Sequence, residues 1–491
     1  MIKNYSIICG LLLSLCAISC GGDDSSITEE PQLAPKVVST TPVNGATGVE
    51  TGTVNISVTY DQTVTLVSSL LRQISISGGS VSDPTVSGKT LSLTANCPNY
   101  RTTVTIRLPQ GLVANAQGTP AEALELTFTT KEAETGDNDP ETAAQAVLNM
   151  APGWNLGNTL DSNGEWMGYH QSPDKYETGW GQPVTDAHLM TACRDKGFKG
   201  IRVPVTWYQH MDANGNVDED WMNRVQEVVD YVINTGMYCI LNVHHDTGAH
   251  DASWIRANDR VYTLNHERYE YLWKQIAERF KNYGKRLLFE GYNEMLDNTH
   301  NWNQPRNLND LQYVNSFAQS FVNAVRATGG NNLTRNLVVN TYASAHGTNV
   351  LSGFVVPTDP CGDQSHLAVE IHSYDPWNWV NTYNMTWTAA CTRELQNMFA
   401  DLNTYFISRG YPVIVGEYGT NGADEKTINA SSTPAQKAEA GRQAGDMNRL
   451  CKQYGAASFY WMGLIDGQDR SEATFKWTME QVADSIVNVY K

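Results

Sequence analysis

From residue 36 to 131 apolar and polar residues alternate in short runs: Val54-Asn55-Ile56-Ser57-Val58, Leu91-Ser92-Leu93, Val104-Thr105-Ile106 and Leu124-Glu125-Leu126-Thr127-Phe128. Gly, Pro and Asn clusters separate them. A two-residue period sends alternate side chains to one face, so this segment is predicted to be a small antiparallel β-sandwich. From about residue 144 to 491 the rhythm changes. Trp221 to Asn234 carries Val225, Val228, Val229, Val232 and Ile233 at helical spacing and stops at Gly236. A second helix is predicted from Tyr271 to Phe280, with Leu272, Ile276 and Phe280 on one stripe. Between such stretches lie eight apolar runs, at 154–156, 201–203, 239–243, 287–290, 337–339, 367–371, 413–415 and 457–461. Successive runs stand roughly 30 to 50 residues apart, one βα unit each, and eight units predict a (β/α)8 barrel with enlarged loops. An open doubly wound sheet fits the same composition, but no Gly-rich phosphate loop follows the first run.

The 491 residues exceed one ordinary domain and divide as follows: 1–20, a targeting segment; 21–35, a flexible Ser-, Asp-, Glu- and Pro-rich tether; 36–131, the sandwich; 132–143, an acidic linker; 144–491, the barrel. Ile7 to Ile18 is almost wholly apolar and follows Lys3, too short a run to span a bilayer, which reads as a signal peptide. Its end, Ala17-Ile18-Ser19-Cys20, resembles a bacterial lipobox, in which Cys20 would be lipidated and become the first mature residue. Gly21-Gly22-Asp23-Asp24 resembles the acidic tags that send some lipoproteins to the outer surface. The expectation is an outer-membrane lipoprotein facing outward, touching the membrane through its lipid alone; cleavage and release is the other reading. The formal net charge of −18 repels nucleic acid and anionic polysaccharide and leaves a neutral sugar polymer open as a partner. Cys193, Cys239 and Cys451 lie in apolar patterns and read as buried thiols. Cys361 and Cys391 flank one loop region and are a candidate pair in an oxidising compartment. No Cys/His spacing suggests zinc, no cofactor is expected, and the protein is expected to be a monomer.

In such a barrel, chemistry gathers where strands end. Those ends carry Asn155, Arg202, His244-His245-Asp246, Asn293-Glu294, His372-Ser373-Tyr374, Glu417 and Trp461; only the fifth run lacks a marked polar end. Two isolated carboxylates, Glu294 after the fourth run and Glu417 after the seventh, suit glycoside hydrolysis. That reaction needs one carboxyl group protonated and one ionised, about 5–5.5 Å apart when configuration is retained.

The set Asn293-Glu294, Glu417, Arg202, His244, His372-x-Tyr374 and Trp461 resembles glycoside hydrolase family 5 over residues 150–490. The stretches Gly153-Trp154-Asn155-Leu156-Gly157-Asn158-Thr159-Leu160-Asp161 and Arg202-Val203-Pro204-Val205-Thr206-Trp207 look most like its endo-β-1,4-glucanases, xyloglucanases and lichenases. Met295 stands where the family usually has proline. The resemblance implies a retaining endo-acting enzyme that cleaves β-1,4-linked glucan by double displacement. Glu294 would be the acid/base, Glu417 the nucleophile, and Asn293 a ligand of the sugar 2-hydroxyl. Arg202 would hold Glu417 ionised, Tyr374 would bond the nucleophile, and His372 and His244, with His245 nearby, would orient acid and substrate. Trp461 would form a floor. A β-mannanase or other β-1,4-glycanase of the same clan and an inactive surface glycan-binding barrel are the alternatives. Thr41-Pro42-Val43-Asn44-Gly45 and the closing Leu126-Thr127-Phe128-Thr129-Thr130 resemble bacterial immunoglobulin-like domains. Because this segment has no Trp and only Tyr60, Tyr100 and Phe128 as aromatics, it reads as a spacer.

Glu290 and Glu370 share strand parity with the site and read as interior partners of Arg or His. His244-His245-Asp246 as a metal cluster is the weaker reading, since other strand ends add only His372. His250, His266 and His346 read as surface or loop residues. All 13 tryptophans lie at or after Trp154. Trp221 and Trp273 read as helix packing. Trp166, Trp180, Trp207, Trp254, Trp302, Trp377, Trp379 and Trp461 fall near loops where aromatic faces would bury sugar rings, with Trp377 and Trp379 the best candidates outside the catalytic set.

Overall fold

The computed structural model describes residues 33–50, 52–82, 84–97, 102–131, 140–380, 386–420 and 428–491. The expected signal segment, the expected lipidation site Cys20 and most of the expected tether and linker lie outside these residues. The described residues form two compact units, one within 33–130 and the other within 131–491.

The first unit is a sandwich. One sheet runs Val37–Thr41, Gly52–Tyr60, Thr90–Cys97, Ser80–Val81, with Thr85–Ser87 also paired to Thr90–Cys97; the other runs Ala46–Val49, Leu124–Thr130, Thr103–Leu108, Ser75–Ser77. All pairs within these sheets are antiparallel except Ala46–Val49 with Leu124–Thr130. The period-two pattern acts as expected: Val54, Ile56 and Val58 stand opposite Ala95, Leu93 and Leu91, and all are buried. Tyr60 and Phe128 belong to this core, and Tyr100 lies outside the described residues.

The second unit is a closed parallel barrel of eight strands: β1 (Gly153–Asn155), β2 (Gly200–Val203), β3 (Tyr238–Asn242), β4 (Leu287–Glu290), β5 (Leu337–Asn340), β6 (Leu367–Ser373), β7 (Val413–Tyr418) and β8 (Ala457–Tyr460). Alternate residues serve two cores. Cys239, Leu241, Leu287, Phe289, Val339, Val369 and Val415 pack outward under the helices. Ile240, Leu288, Val338, Ala368, Ile414 and Phe459 pack together in a separate cluster that closes the barrel floor. Phe459 fits because β1 and β2 offer glycines at its level: a Cβ on Gly153 would fall 2.2 Å from its ring.

Helix Glu219–Asn234 buries the expected valine stripe. The helix expected at 271–280 is longer, Asp259–Arg279, with Asn258 accepting from Val261 N–H as its N-cap. Its first turns carry Arg260, His266, Glu267 and Arg268, and Leu264 is 68% exposed, so no apolar stripe marks them. Cys361 and Cys391 are not joined: both thiols are free, Cys361 exposed in a loop and Cys391 buried at the start of helix Ala389–Tyr405. Cys193, Cys239 and Cys451 are buried free thiols.

Candidate active site

Above the apolar floor the barrel interior turns polar. Asn155, Arg202, Asn242, Glu290, Asn340 and Glu370, from β1 to β6 in order, are all fully buried. Arg202 is the hub. Its Nε and Nη2 donate to Glu290 at 2.6 and 2.8 Å, its Nη1 to Asn155 Oδ1 at 3.0 Å and Glu417 Oε1 at 2.9 Å, and its Nη2 also to Asn293 Oδ1 at 2.9 Å. These contacts use every N–H of the guanidinium. Burial would lower its pKa, but Glu290, Glu370 and Glu417 outweigh that and raise it well above its ordinary value. Asn155 is thus a support: its amide N–H groups reach Gly416 O at 2.9 Å and Phe459 O at 3.2 Å. Asn242 is fixed by Val205 N–H on its oxygen and by Glu290 on its nitrogen, at 3.1 Å each. Asn340 donates to Glu290 and Glu370.

The rim lies directly above. His372 Nδ1 is 2.9 Å from Glu294 Oε1 and 3.5 Å from Glu417 Oε2, while its Nε2 is 3.2 Å from Glu370 Oε1. An oxygen of Glu294 and an oxygen of Glu417 lie within 4.8 Å of each other. Tyr374 donates its hydroxyl proton to Glu417 Oε2 at 2.9 Å. Burial would push the His372 imidazole down, yet Glu417 and the hydrogen bonds to Glu294 and Glu370 push it up to about 10. Burial and the Glu294 charge push the Glu417 carboxyl above its ordinary range, against the pull of His372, Arg202 and Tyr374. Arg202 touches Glu417 as expected and pulls its carboxyl downward, with His372 the larger of the two opposing cations.

His244 faces Glu417 rather than Glu294. Its Nδ1 lies 3.0 Å from Asn242 Nδ2, and with the Asn242 amide held by Val205 and Glu290 this nitrogen must accept. The His244 proton thus sits on Nε2, 4.0 Å from Glu417 Oε1. Burial keeps His244 and His245 neutral; His245 is lowered to about 3. Trp461 lies parallel to His244, ring centroids 5.8 Å apart, and rests where Gly157 has no side chain, a Cβ there meeting the indole at 2.9 Å. Trp180 stands edge-on to His245 at 5.4 Å, a contact that sequence spacing gave no means of finding.

Glu417 reaches the mouth through a break in the pleat. Ile371 pairs with Val415, but the next residue, His372, pairs with Glu417, so Gly416 is an extra residue in β7. Such a bulge re-aims the side chain after it. Gly416 faces Glu370, and a Cβ there would fall 2.0 Å from Glu370 Oε1. Gly416→Ala is expected to lower stability by roughly 1–3 kcal/mol and to reduce turnover as Glu417 swings out of place. Thermal unfolding and steady-state rates check both effects.

The tryptophans separate into two groups. Trp166, Trp302 and Trp377 are 68%, 48% and 56% exposed, and Trp180 is partly exposed. Trp379, expected beside Trp377 as a sugar contact, is instead buried and packs edge-on against Trp387 at 4.9 Å. Trp207 is also buried, its indole N–H bonded to Asn242 O. In a helix such as Trp377–Val380, neighbouring positions point to different sides, so one Trp of the pair serves the core. Asn340, unnoticed in the sequence, and Asn242, given no role of its own there, share the inward parity of Glu290 and Glu370, the signal that would have marked them.

Asp246 does not join His244 and His245. It is buried and accepts from Trp207 N–H and Trp254 Nε1. Asp161 takes that place, its Oδ2 4.0 Å from His245 Nε2. Asp161, His244 and His245, and separately Glu294, His372 and Glu417, are close enough to hold an ion. In the first group, Nε2 of His244 already carries its proton; in the second, both ring nitrogens of His372 face carboxylate oxygens.

A (β/α)8 barrel with two facing carboxyl groups at the ends of β4 and β7, over a buried arginine, defines a glycoside hydrolase. Residues 160–463 match Cellulase (glycosyl hydrolase family 5), and residues 31–130 match Bacterial Ig-like domain. The chain belongs to glycosyl hydrolase family 5. A glycoside hydrolase family 5 enzyme from Prevotella bryantii, solved with a xyloglucan tetradecasaccharide, is 46% identical with a TM-score of 0.69, over 72% of this chain and 100% of that one. Endoglucanase A of Clostridium longisporum is 31% identical over 71% of this chain and 66% of its own length. Endoglucanase A of Paenibacillus barcinonensis is 32% identical over 69% of this chain and 86% of its own.

Proposed function

We propose that this chain is a retaining, endo-acting β-glucanase that cuts β-1,4-linked glucan, with Glu417 as nucleophile and Glu294 as acid/base. The observation that carries this reading is the approach of the two carboxyl groups to within 4.8 Å, too close to admit the separate water of an inverting reaction. Glu417 attacks the anomeric carbon while Glu294 protonates the departing glycosidic oxygen. The glycosyl ester then yields to water, whose proton Glu294 takes. Having given its proton to the leaving group, Glu294 takes one back from the attacking water, so one residue serves as acid and then as base. Trp461 and His244 form one wall of the cleaved sugar's site. The exposed faces of Trp166, Trp302 and Trp377 support an open cleft for a polymer. The names of the relatives support glucan as the substrate, and the Prevotella complex supports xyloglucan among the glucans accepted. A panel of barley β-glucan, carboxymethyl-cellulose, xyloglucan and mannan tests this: cleavage of the glucans is expected, and cleavage of mannan alone contradicts it.

Because Glu417 must be ionised and its carboxyl is pushed upward by burial, the acid limb of kcat/KM is expected above the ordinary carboxylate value of about 4.3. Activity falls as pH drops through that raised value; an acid limb below about 4 in a kcat/KM profile would contradict the assignment.

The leader supports placement as an outer-membrane lipoprotein, anchored at Cys20 and facing outward. The immunoglobulin-like unit serves as a spacer, consistent with Tyr60 and Phe128 being core residues. Palmitate labelling that persists in Cys20→Ser would contradict the anchor.

A further inference from the structure

Glu370 has no part in the chemistry described above, yet it is fully buried beneath the two catalytic glutamates. Arg202 gives its N–H groups to Glu290, Asn155, Glu417 and Asn293, leaving Glu370 only a longer contact of 3.5 Å. The other neighbours of Glu370 Oε1 are Asn340 Nδ2 and His372 Nε2, each at 3.2 Å. Among the described residues Glu370 Oε2 and Asn340 Oδ1 have no hydrogen-bond partner. An uncompensated buried carboxylate is costly, and the groups placed to compensate Glu370 are His372 Nε2 at 3.2 Å and the Arg202 guanidinium at 3.5 Å.

The state of His372 decides where the acid's proton goes. If both ring nitrogens are protonated, Nδ1–H donates to Glu294 Oε1, and a neutral Glu294 must carry its proton on Oε2. If His372 is neutral with its one proton on Nε2, the bare Nδ1 accepts, and Glu294 places its proton on Oε1, hydrogen-bonded to the imidazole and withheld from the glycosidic oxygen. We propose that Glu370 is a positioning residue that keeps His372 doubly protonated, so that the acid proton of Glu294 stays on the oxygen free to face the substrate. This rests on the double-displacement reading. In the glycosylation step the Oε2–H bond breaks as the leaving oxygen gains the proton and the electron pair of its bond to the anomeric carbon. The carboxylate left behind is stabilised by the Nδ1–H donor, and the proton taken later from water restores Oε2–H. His372 itself neither gains nor loses a proton. The other charged or titratable groups around the ring are Glu294 beyond β4, Glu417 on β7, Arg202 on β2, His244 beyond β3 and Tyr374 beyond β6. The raised His372 basicity agrees with this arrangement.

The test uses the full chain, Glu370→Gln and Glu370→Asp. The glutamine variant keeps the shape and removes the charge, and its amide group offers a donor for the bare Asn340 oxygen. kcat/KM is followed against pH on barley β-glucan, whose leaving group needs acid help, and on dinitrophenyl cellobioside, whose leaving group does not. For Glu370→Gln the alkaline limb on glucan is expected to fall by about one pH unit or more, with a roughly 10- to 100-fold loss near pH 8. The aryl substrate should change by less than about threefold, and Glu370→Asp should recover part of the glucan rate. Equal losses on both substrates, or an unmoved alkaline limb, would overturn the proposal. Should Glu370→Gln not fold, nitrogen NMR of His372 in the unaltered protein decides: both ring nitrogens protonated at about pH 8 is expected, and a neutral ring overturns it. Failure of the double-displacement reading would look different, since Glu417→Ala would then stay active on both substrates.

Discussion

Glu417→Ala is expected to lower kcat/KM on β-glucan by about 10,000-fold or more, because in the proposed double displacement it removes the oxygen that bonds the sugar and not merely a contact. Binding should persist, since the aromatic faces of Trp166, Trp302 and Trp377 and the His244–Trp461 wall are untouched. Removing this buried carboxylate relieves like-charge repulsion but strands the Arg202 and Tyr374 donors that face it, so the variant's stability should stay near the parent's. Azide fits the space left by the side chain, and it should partly restore release of the sugar as a glycosyl azide of inverted configuration. Isothermal titration with a glucan oligosaccharide and product analysis with and without azide separate these effects. Unchanged sugar release would remove Glu417 from the mechanism.

Arg202→Met is expected to be nearly as damaging to activity and far worse for the fold. Arg202 is the cation directly bonded to Glu290 and Glu417, and it stands 3.5 Å from Glu370. Breaking a buried pair by removing one partner costs about 3–5 kcal/mol, and here several carboxylates lose compensation together. Those carboxyl groups would then take up protons on folding. A group whose folded pKa is raised stabilises the fold below its unfolded pKa, and that contribution is lost as pH rises through the folded value. Arg202→Met should thus unfold more readily at neutral than at mildly acidic pH, a trend that denaturant titrations across that range check. Arg202→Lys keeps the charge but has a single nitrogen, unable to span Glu290, Asn155, Asn293 and Glu417, and should rescue stability better than activity. Equal stability of parent and Arg202→Met would mean that the polar layer does not depend on its hub.

The sequence made the strand ends legible because a barrel puts its chemistry there. Glu294, Glu417, Arg202, His372 and Tyr374 stand at such ends, and the structure brings them together. Glu290 and Glu370 were readable as interior partners from strand parity alone. Parity fails at β7, where strict alternation would turn Glu417 away from Gly416 and out of the mouth; the inserted Gly416 reverses it. A register shift depends on the neighbouring strand, so no local pattern announces it. Burial of Trp379 against Trp387 is likewise a matter of which loop lies above, and the free Cys361 and Cys391 show that flanking a loop does not bring two thiols together. The polar layer needed both halves, parity to point the side chains inward and the closed barrel to make Asn242, Asn340 and Glu290 neighbours.

Trapping the covalent species is the most direct measurement. A fluorinated dinitrophenyl cellobioside should inactivate the protein as one glycosyl group adds per chain, and peptide mass analysis should find that group esterified to Glu417. Sugar attached to Glu294 or elsewhere, or steady turnover with an inverted product and no adduct, would contradict the account.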